Sequence, residues 1–300
     1  MRKTTIIHDN EYEIVSAYRD NTLLRHSFND LTQQTYKFDF ENWFNLGYWG
    51  ENYIPYSLVK DNKIVANISV NIIDFDVHGN RKQYIQIGTV MTDRDHRNLG
   101  MSRFLMEFVL NEWESETDLI YLFANNTVLD FYPKFGFQSI SEYEYTKSGP
   151  FGRTNTGVVQ LDMSDATAWQ TLYDIVDKSV ISAKLSMLNN PNLVLFYCTS
   201  FMRDQVFYIP DLHAIAIAEF ETGICYLHDI FCREQISLDD VINSIVRSDT
   251  KKVVLGFAPA DSSAYDIEIL TTEPDTLFVK PGIAELFDRE LLRFPVLSHA

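Results

Sequence analysis

Between Val90 and Leu105 the chain reads VMTDRDHRNLGMSRFL, and these residue types and spacings suit the capture of a phosphate group. A strand candidate ends at Met91, and a polar loop follows from Asp93 to Asn98. Gly100 then opens a helix whose apolar face is Phe104, Leu105, Phe108 and Val109. The first turn of a helix leaves amide N–H groups unpaired and carries a partial positive charge. A pyrophosphate set there collects several charge-assisted hydrogen bonds at once. Backbone approaches phosphate closely only where side chains are small, as at Gly100 and Ser102, while Arg97 and Arg103 add positive charge. A glycine before a helix also serves as a plain turn, so the segment needs a second signal.

That signal lies downstream, in Asn125-Asn126-Thr127-Val128-Leu129-Asp130-Phe131-Tyr132-Pro133-Lys134-Phe135-Gly136-Phe137. Taken with Arg97-Asn98-Leu99-Gly100-Met101-Ser102, it resembles the GNAT superfamily of N-acetyltransferases over about residues 1–150. The first signature of that family is Q/R-x-x-G-x-G/A, and Ser102 replaces its last small residue. The second is an Asn followed seven residues later by a Tyr and then by Gly-Phe. The resemblance implies acetyl-CoA as co-substrate, with Arg97, Asn98, Leu99, Gly100, Met101, Ser102 and Arg103 around its pyrophosphate. It also implies that the backbone of Val90 and Met91 pairs with the pantetheine arm as a peptide adds to a sheet edge. Asn125 would touch that arm and Tyr132 would face the sulfur. The implied reaction is direct transfer: a neutral amine attacks the thioester, and Tyr132, as a phenol protonated at neutral pH, donates to the leaving thiolate. A buried core tyrosine is the plain alternative for Tyr132.

The base is harder to find. Gln83 to Thr92 holds no carboxylate, and its Gln86 and Thr89 are poor bases, so water or a carboxylate from the second half must serve. Some multi-domain relatives use their terminal carboxylate, which here points to Ala300 in the apolar, Pro295-containing tail; a packing tail is the alternative. By the same resemblance the acceptor pocket is built by the segments before the sheet. Trp43, Phe44, Tyr48, Trp49, Tyr53 and Tyr56 cluster there with Glu41 and Glu51. Aromatic faces and carboxylates hold cations, which makes Trp49, Glu51 and Tyr53 the substrate-binding candidates, against core filling for most of the rings. His96 beside the loop, and His213 and His228 on predicted strands, have no metal-ligand spacing, so no metal is expected.

The elements that position these residues read as an α+β chain. Helices are predicted over 11–46, and strands over 53–60, 64–75 and 83–91, with His78-Gly79-Asn80 as a hairpin turn. A helix from Gly100, a strand at 118–123, a helix through Tyr132 and a strand toward Tyr145 follow. This is the order of the GNAT fold, a mixed, mostly antiparallel central sheet with flanking helices. Three hundred residues predict two domains, and the glycine-bearing stretch after Thr146 sets them at 1–148 and 149–300. The second, an α+β domain of similar element order, carries predicted helices at 166–176, 179–188 and 238–246. Its strands are predicted at 205–209, 213–219, 224–231, 252–257, 265–270 and 276–279. Between Phe231 and Leu238 it lacks a glycine, so it is expected to be GNAT-like without a CoA-binding turn; no motif supports a sterol-carrier-like lobe.

Charge bounds the partners. With 42 acidic and 25 basic residues the net charge is −17, which argues against nucleic acid and anionic membrane. It suits a cationic substrate such as a polyamine or a basic peptide, within the expected small-molecule or peptide amine acceptors, although solubility alone also accounts for it. The three cysteines have no CxxC spacing, and no run of about 18 apolar residues occurs. With no signal-like N-terminus, a cytoplasmic location is expected, and a homo-oligomer stays open. The leading reading is therefore an N-acetyltransferase; the competing one is a non-catalytic acyl-CoA-binding or regulatory module, and a structural tandem fold comes third.

Overall fold

A computed structural model describes residues 1–152, 157–272, 274–280 and 282–299. The chain opens with a hairpin where a helix was expected: β1 (Arg2–Ile7) pairs antiparallel with β2 (Asn10–Ser16) around His8-Asp9, both at positive φ. The reason is the strict alternation Glu11-Tyr12-Glu13-Ile14, which buries Tyr12 and Ile14 on one side. The helix predicted from residue 11 rests on apolar positions spaced by three and four around Ile14, Tyr18, Leu23 and Leu24, a spacing that joins strand residues to the helix that follows. That helix, α1 (Thr22–Tyr36), starts where the Asn21 side chain accepts from the Leu24 N–H, and a short α2 (Glu41–Asn45) succeeds it.

A meander follows: β3 (Tyr53–Lys60), β4 (Lys63–Val77) and β5 (Asn80–Thr92), turned at Asp61-Asn62 and His78-Gly79. Next come α3 (Met101–Trp113), β6 (Leu119–Asn125), β7 (Gln138–Ser139) and β8 (Tyr143–Ser148). The helix expected through Tyr132 is instead a set of turns ending in a 3-10 turn, Tyr132–Phe135. Asn125 Oδ1 accepts from the Thr127 N–H at 3.0 Å, and Pro133 brings no N–H to an α-helical ladder.

The second half supplies β9 (Val159–Gln160), α4 (Ala166–Val176), β10 (Leu185–Met187), α5 (Pro191–Ser200) and β11 (Val206–Ile209). It continues with β12 (Ala214–Glu221), β13 (Ile224–Cys232), α6 (Leu238–Ile245) and β14 (Lys252–Leu255). It closes with β15 (Asp266–Ile269), β16 (Asp275–Val279) and α7 (Ala284–Glu290). No helix covers 179–188, where the chain runs into β10 alongside β4. The helix missed there is α5, apolar nearly all round and so without a readable period. Its local signals are the Asn190 cap and Pro191 in its first turn.

Among the described residues the strands form two sheets. The first has the order β1-β2-β3-β4-β5-β6-β16-β7, with β10 also on β4; the second has β15-β8-β14-β13-β12-β11-β9. They exchange strands across residue 148. β8 lies in the second sheet, and β16, apolar on both faces at Leu277, Phe278 and Val279, sits between β6 and β7 in the first. The antiparallel β3-β4-β5, helix α3 and parallel β6 of the first sheet recur in the second as β11-β12-β13, α6 and β14. The first sheet is covered on one face by α1, α2 and α5 and on the other by α3, with a core on each side.

Candidate active site

The site begins with a fault in the sheet. β5 and β6 pair in parallel only over Tyr84–Gln86 and Leu119–Tyr121, after which they part. On its other edge β5 slips register against β4 between Asn67 and Ser69, a bulge that sets Thr89 at φ 47°. Buried side chains hold that bulge: Asn67 Nδ2 donates to the Thr89 carbonyl at 2.9 Å, and the Tyr53 hydroxyl bonds Thr89 Oγ1. A cavity of about 1030 Å³ fills the opening, at the upper end of what ligand sites need. It passes through the sheet, lined by Met101 and Tyr132 on the α3 side and by Phe38 and Phe196 on the other.

At the α3 end, Asn98 and Gly100 both take positive φ, 63° and 73°, and the helix starts with no side-chain cap. The other described helices of eight or more residues are capped by Asn21, Asp165, Asn190 and Ser237. The first amides of α3 thus have no side-chain cap. Thr92 Oγ1 and Ser102 Oγ bond at 2.7 Å, and Arg97 Nε donates to the Thr92 carbonyl at 3.3 Å, which ties the loop to the end of β5. Val90, Met91, Arg97, Asn98, Gly100, Met101, Ser102 and Arg103 all line the cavity, with Arg103 also paired to Glu107. Leu99 instead packs on the core beneath α3. His96 lines the cavity but bonds Asp93 at 2.9 Å, and that hydrogen bond holds the Asp93 carboxyl below its usual range.

Tyr132 faces the same space from the far side of the opening. It is 5% exposed, packed against Phe131, Phe137 and Phe278, and burial, helped by the charge of Asp275, pushes its phenol up to about 12. It is a proton donor throughout the neutral range. Asn125 lines the cavity while its Oδ1 holds Thr127, and in register across from it stands Asp275 on β16. Asp275 also lines the cavity, and partial burial raises its carboxyl. Nothing in the sequence near Asp275 marked it, because only the exchange of β16 into the first sheet brings it here.

The aromatic candidates fall elsewhere. Trp49 lies in the core among Phe28, Phe40 and Trp43, its Nε1 donating to the Tyr53 carbonyl at 3.2 Å. Glu51 has its side chain 85% exposed and pairs with Arg19. Neither lines the cavity, and Tyr53 reaches it only through Thr89. Besides Phe131 and Tyr132, the phenyl and phenol rings that line it are Tyr36, Phe38, Phe40 and Phe123, with Phe196, Tyr197 and Phe201 from the second half.

Ala300, the expected base, lies outside the described residues. Its neighbour His299 lines the cavity, stacked on Phe123 with ring centroids 3.7 Å apart. Burial first, and then the Arg293 charge, push this imidazole down to about 3, and its buried Nε2 has no hydrogen-bond partner among the described residues. The tail before it is anchored: Arg293 Nη1 donates to the Leu255 carbonyl, Val296 N to the Gly256 carbonyl, and Tyr121 Oη to the Ser298 carbonyl.

The matching place in the second sheet is shut. There Ser237 caps α6, with Asp239 and Asp240 in its first turn, so both its amides and its field are unsuited to phosphate. Beyond Leu227–Leu255, where β13 and β14 stop pairing, Gly256 lies close against the His228 backbone and its carbonyl accepts from the Val296 N–H of the tail.

The mixed sheet thus opens between two parallel strands, with an uncapped helix at the opening and a buried phenol facing it. Residues 16–140 match the model of the acetyltransferase (GNAT) domain, and this part of the chain is a GNAT domain, a family whose chemistry is acyl transfer from acyl-CoA. The chain is also similar to a probable N-acyltransferase structure from Enterococcus faecalis V583 (14% identity, TM-score 0.59, 89% of this chain and 71% of that one). It is similar to GCN5-related N-acetyltransferases from Kribbella flavida (13%, TM-score 0.54, 89% and 71%) and Anabaena variabilis (11%, TM-score 0.53, 89% and 72%). At these identities the likeness speaks for the fold alone. No curated protein matches the chain. Among the described residues, no helix is long and apolar enough to cross a membrane.

Proposed function

We propose that the chain is an N-acetyltransferase that moves the acetyl group of acetyl-CoA to the amine of a small molecule or peptide by direct transfer. The observation that carries this is Tyr132, a buried, protonated phenol at the opening between β5 and β6, on the same cavity as the uncapped start of α3. The amides of Met101, Ser102 and Arg103 would take the pyrophosphate, with Arg97 adding charge. The pantetheine arm would lie along the free edge of β5 at Val90 and Met91. The amine lone pair forms the C–N bond as the C–S pair leaves with sulfur. The sulfur takes the Tyr132 proton, and the nitrogen's surplus proton restores the phenol. Holding both reactants in one cavity supplies much of the acceleration.

Titration calorimetry with acetyl-CoA and turnover on a panel of amines test this reading. Tyr132→Phe is expected to lower kcat by about 10²–10⁴-fold with the acetyl-CoA Kd kept within about twofold. An unchanged kcat would remove Tyr132 from the chemistry. Acetyl-CoA binding with no turnover on any amine would favour an acyl-CoA sensor instead.

A further inference from the structure

We propose that the acceptor is an amphiphilic primary amine, its apolar body lying on Phe38, Phe196, Tyr197 and Phe201 and its single ammonium drawn to Asp275. This rests on the acetyl-transfer reading and names the substrate class of the same cavity.

The two ends of the cavity differ in chemistry. The cationic side chains lining it, Arg97, Arg103 and Lys134, belong to the α3 and Tyr132 side, where an anionic donor would be held. On the opposite side Phe38 meets Phe201 edge-on (centroids 5.3 Å, 88°), Phe201 meets Phe196 (5.6 Å, 77°), and Phe196 meets Tyr197 (5.7 Å, 74°). This mesh joins the segment after α1 to α5, so both halves of the chain build it. Phe201 is nonetheless 53% exposed, a large ring left facing open space at the cavity edge. Aromatic faces of this kind favour apolar and aromatic bodies, and a cation set over them.

The anionic groups lining the cavity are few. Asp130 lies on the Tyr132 side, whereas Asp275 at the head of β16 stands in register with Asn125, two residues along β6 from Phe123, which packs with the aromatic core that includes Phe196 of the aromatic wall. His299 on that wall is neutral. One carboxylate on the wall side of the same cavity as four rings matches one ammonium on an apolar body. A polyamine or a basic peptide would bring further charges to rings with no further carboxylate among them. In the reaction the ammonium gives one proton to the Asp275 carboxylate, which passes it to water. The freed lone pair attacks the thioester carbon, the C–S bond breaks, and amide, thiol and one released proton result.

The test is titration calorimetry of 2-phenylethylamine, ethylamine and spermidine into the chain saturated with CoA, which reads acceptor binding whether or not turnover occurs. The expected result is that 2-phenylethylamine binds at least about tenfold tighter than either of the others, because only it buries a ring. Phe201→Ser, at an exposed position that spares the core, should weaken 2-phenylethylamine by about tenfold. Asp275→Asn should weaken both 2-phenylethylamine and ethylamine, with CoA affinity kept in each variant. Tighter spermidine binding, equal binding of the three amines, or no amine binding would overturn the proposal. So would a Phe201→Ser effect confined to hexanoyl-CoA, which would assign the wall to the donor's acyl chain. Amine binding in this order without turnover would leave the amphiphilic site standing and defeat the acetyl-transfer reading alone.

Discussion

The Tyr36 hydroxyl donates to the Val90 carbonyl across 2.8 Å, linking the last residue of α1 to the stretch of β5 that β6 leaves unpaired. A sheet edge facing a cavity offers backbone groups to any extended ligand. Tyr36 occupies one lone pair of that carbonyl and leaves the second to an incoming amide. Tyr36→Phe keeps the ring against Phe38 and removes only this bond. Stability in urea should fall by about 0.5–1.5 kcal/mol, the usual net worth of a hydrogen bond. The KM for acetyl-CoA should not rise, since the carbonyl is still there to accept. A tenfold rise would show instead that Tyr36 sets the line of the edge.

The pH dependence of kcat follows from Tyr132. Burial raises its phenol to about 12, so it remains a donor well above the ordinary phenol value of about 10. Its donor function is complete below the raised value and is lost only as pH climbs through it. Between pH 7 and about 10, kcat should therefore show no falling limb from this group. A decline with a midpoint below about 10 in an acceptor-saturated assay would mean that the donor is more exposed, or is a different residue.

Gly100 is a point where backbone conformation and ligand approach make the same demand. At φ 73° a side chain costs roughly 1–2 kcal/mol, although the nearest neighbour of an added Cβ, His8 Nε2 at 3.5 Å, is no obstacle. Gly100→Ala should relieve the strain by turning the peptide plane, which misdirects the first amides of α3. The KM for acetyl-CoA should rise by about tenfold, one charge-assisted hydrogen bond's worth, while thermal stability drops by only a few degrees. A variant with lower stability but unaltered KM would separate the turn from the phosphates.

How much of this was readable beforehand depended on range. Local signals served well: Gly100 opening a helix, the His78-Gly79 turn, and the strands from Tyr53 to Thr92 all lie where spacing and turn chemistry put them. Three local readings failed for local reasons, one of them the helix through Tyr132, where Asn125 holds the Thr127 N–H and Pro133 has none to give. Ile14 and Tyr18 were joined to a helix that starts only at Thr22, and α5 carries no polar face to give it a period. The second half's share of the cavity was not legible at all, because Phe196, Phe201, Asp275 and His299 reach it through the folding of the second half onto the first. Trp49 and Glu51 drew notice by composition, yet an aromatic run next to the site forms the core under it, and the glutamate turns outward to Arg19. Sequence proximity to a motif is a poor guide where distant strands complete the sheet.

Gly256 tests that dependence of one half on the other. A Cβ added there would lie 2.5 Å from the His228 carbonyl oxygen and 2.7 Å from its Cα, and both are backbone atoms that cannot swing aside. Gly256→Ala must therefore push β13 and the residues after β14 apart, an overpacking cost of about 1–3 kcal/mol or more. The displacement is expected to travel, because the Gly256 carbonyl accepts from Val296 and the tail continues from there to His299 against Phe123. The α3 turn belongs to the other sheet and stays in place. The variant should thus show a lower midpoint in thermal unfolding and a kcat reduced by about tenfold or more, with an acetyl-CoA Kd within about twofold of the parent. Loss of CoA affinity together with kcat would mean that the sheets move as one body. Unchanged kcat at lowered stability would mean that the tail's place on Phe123 does not matter to turnover.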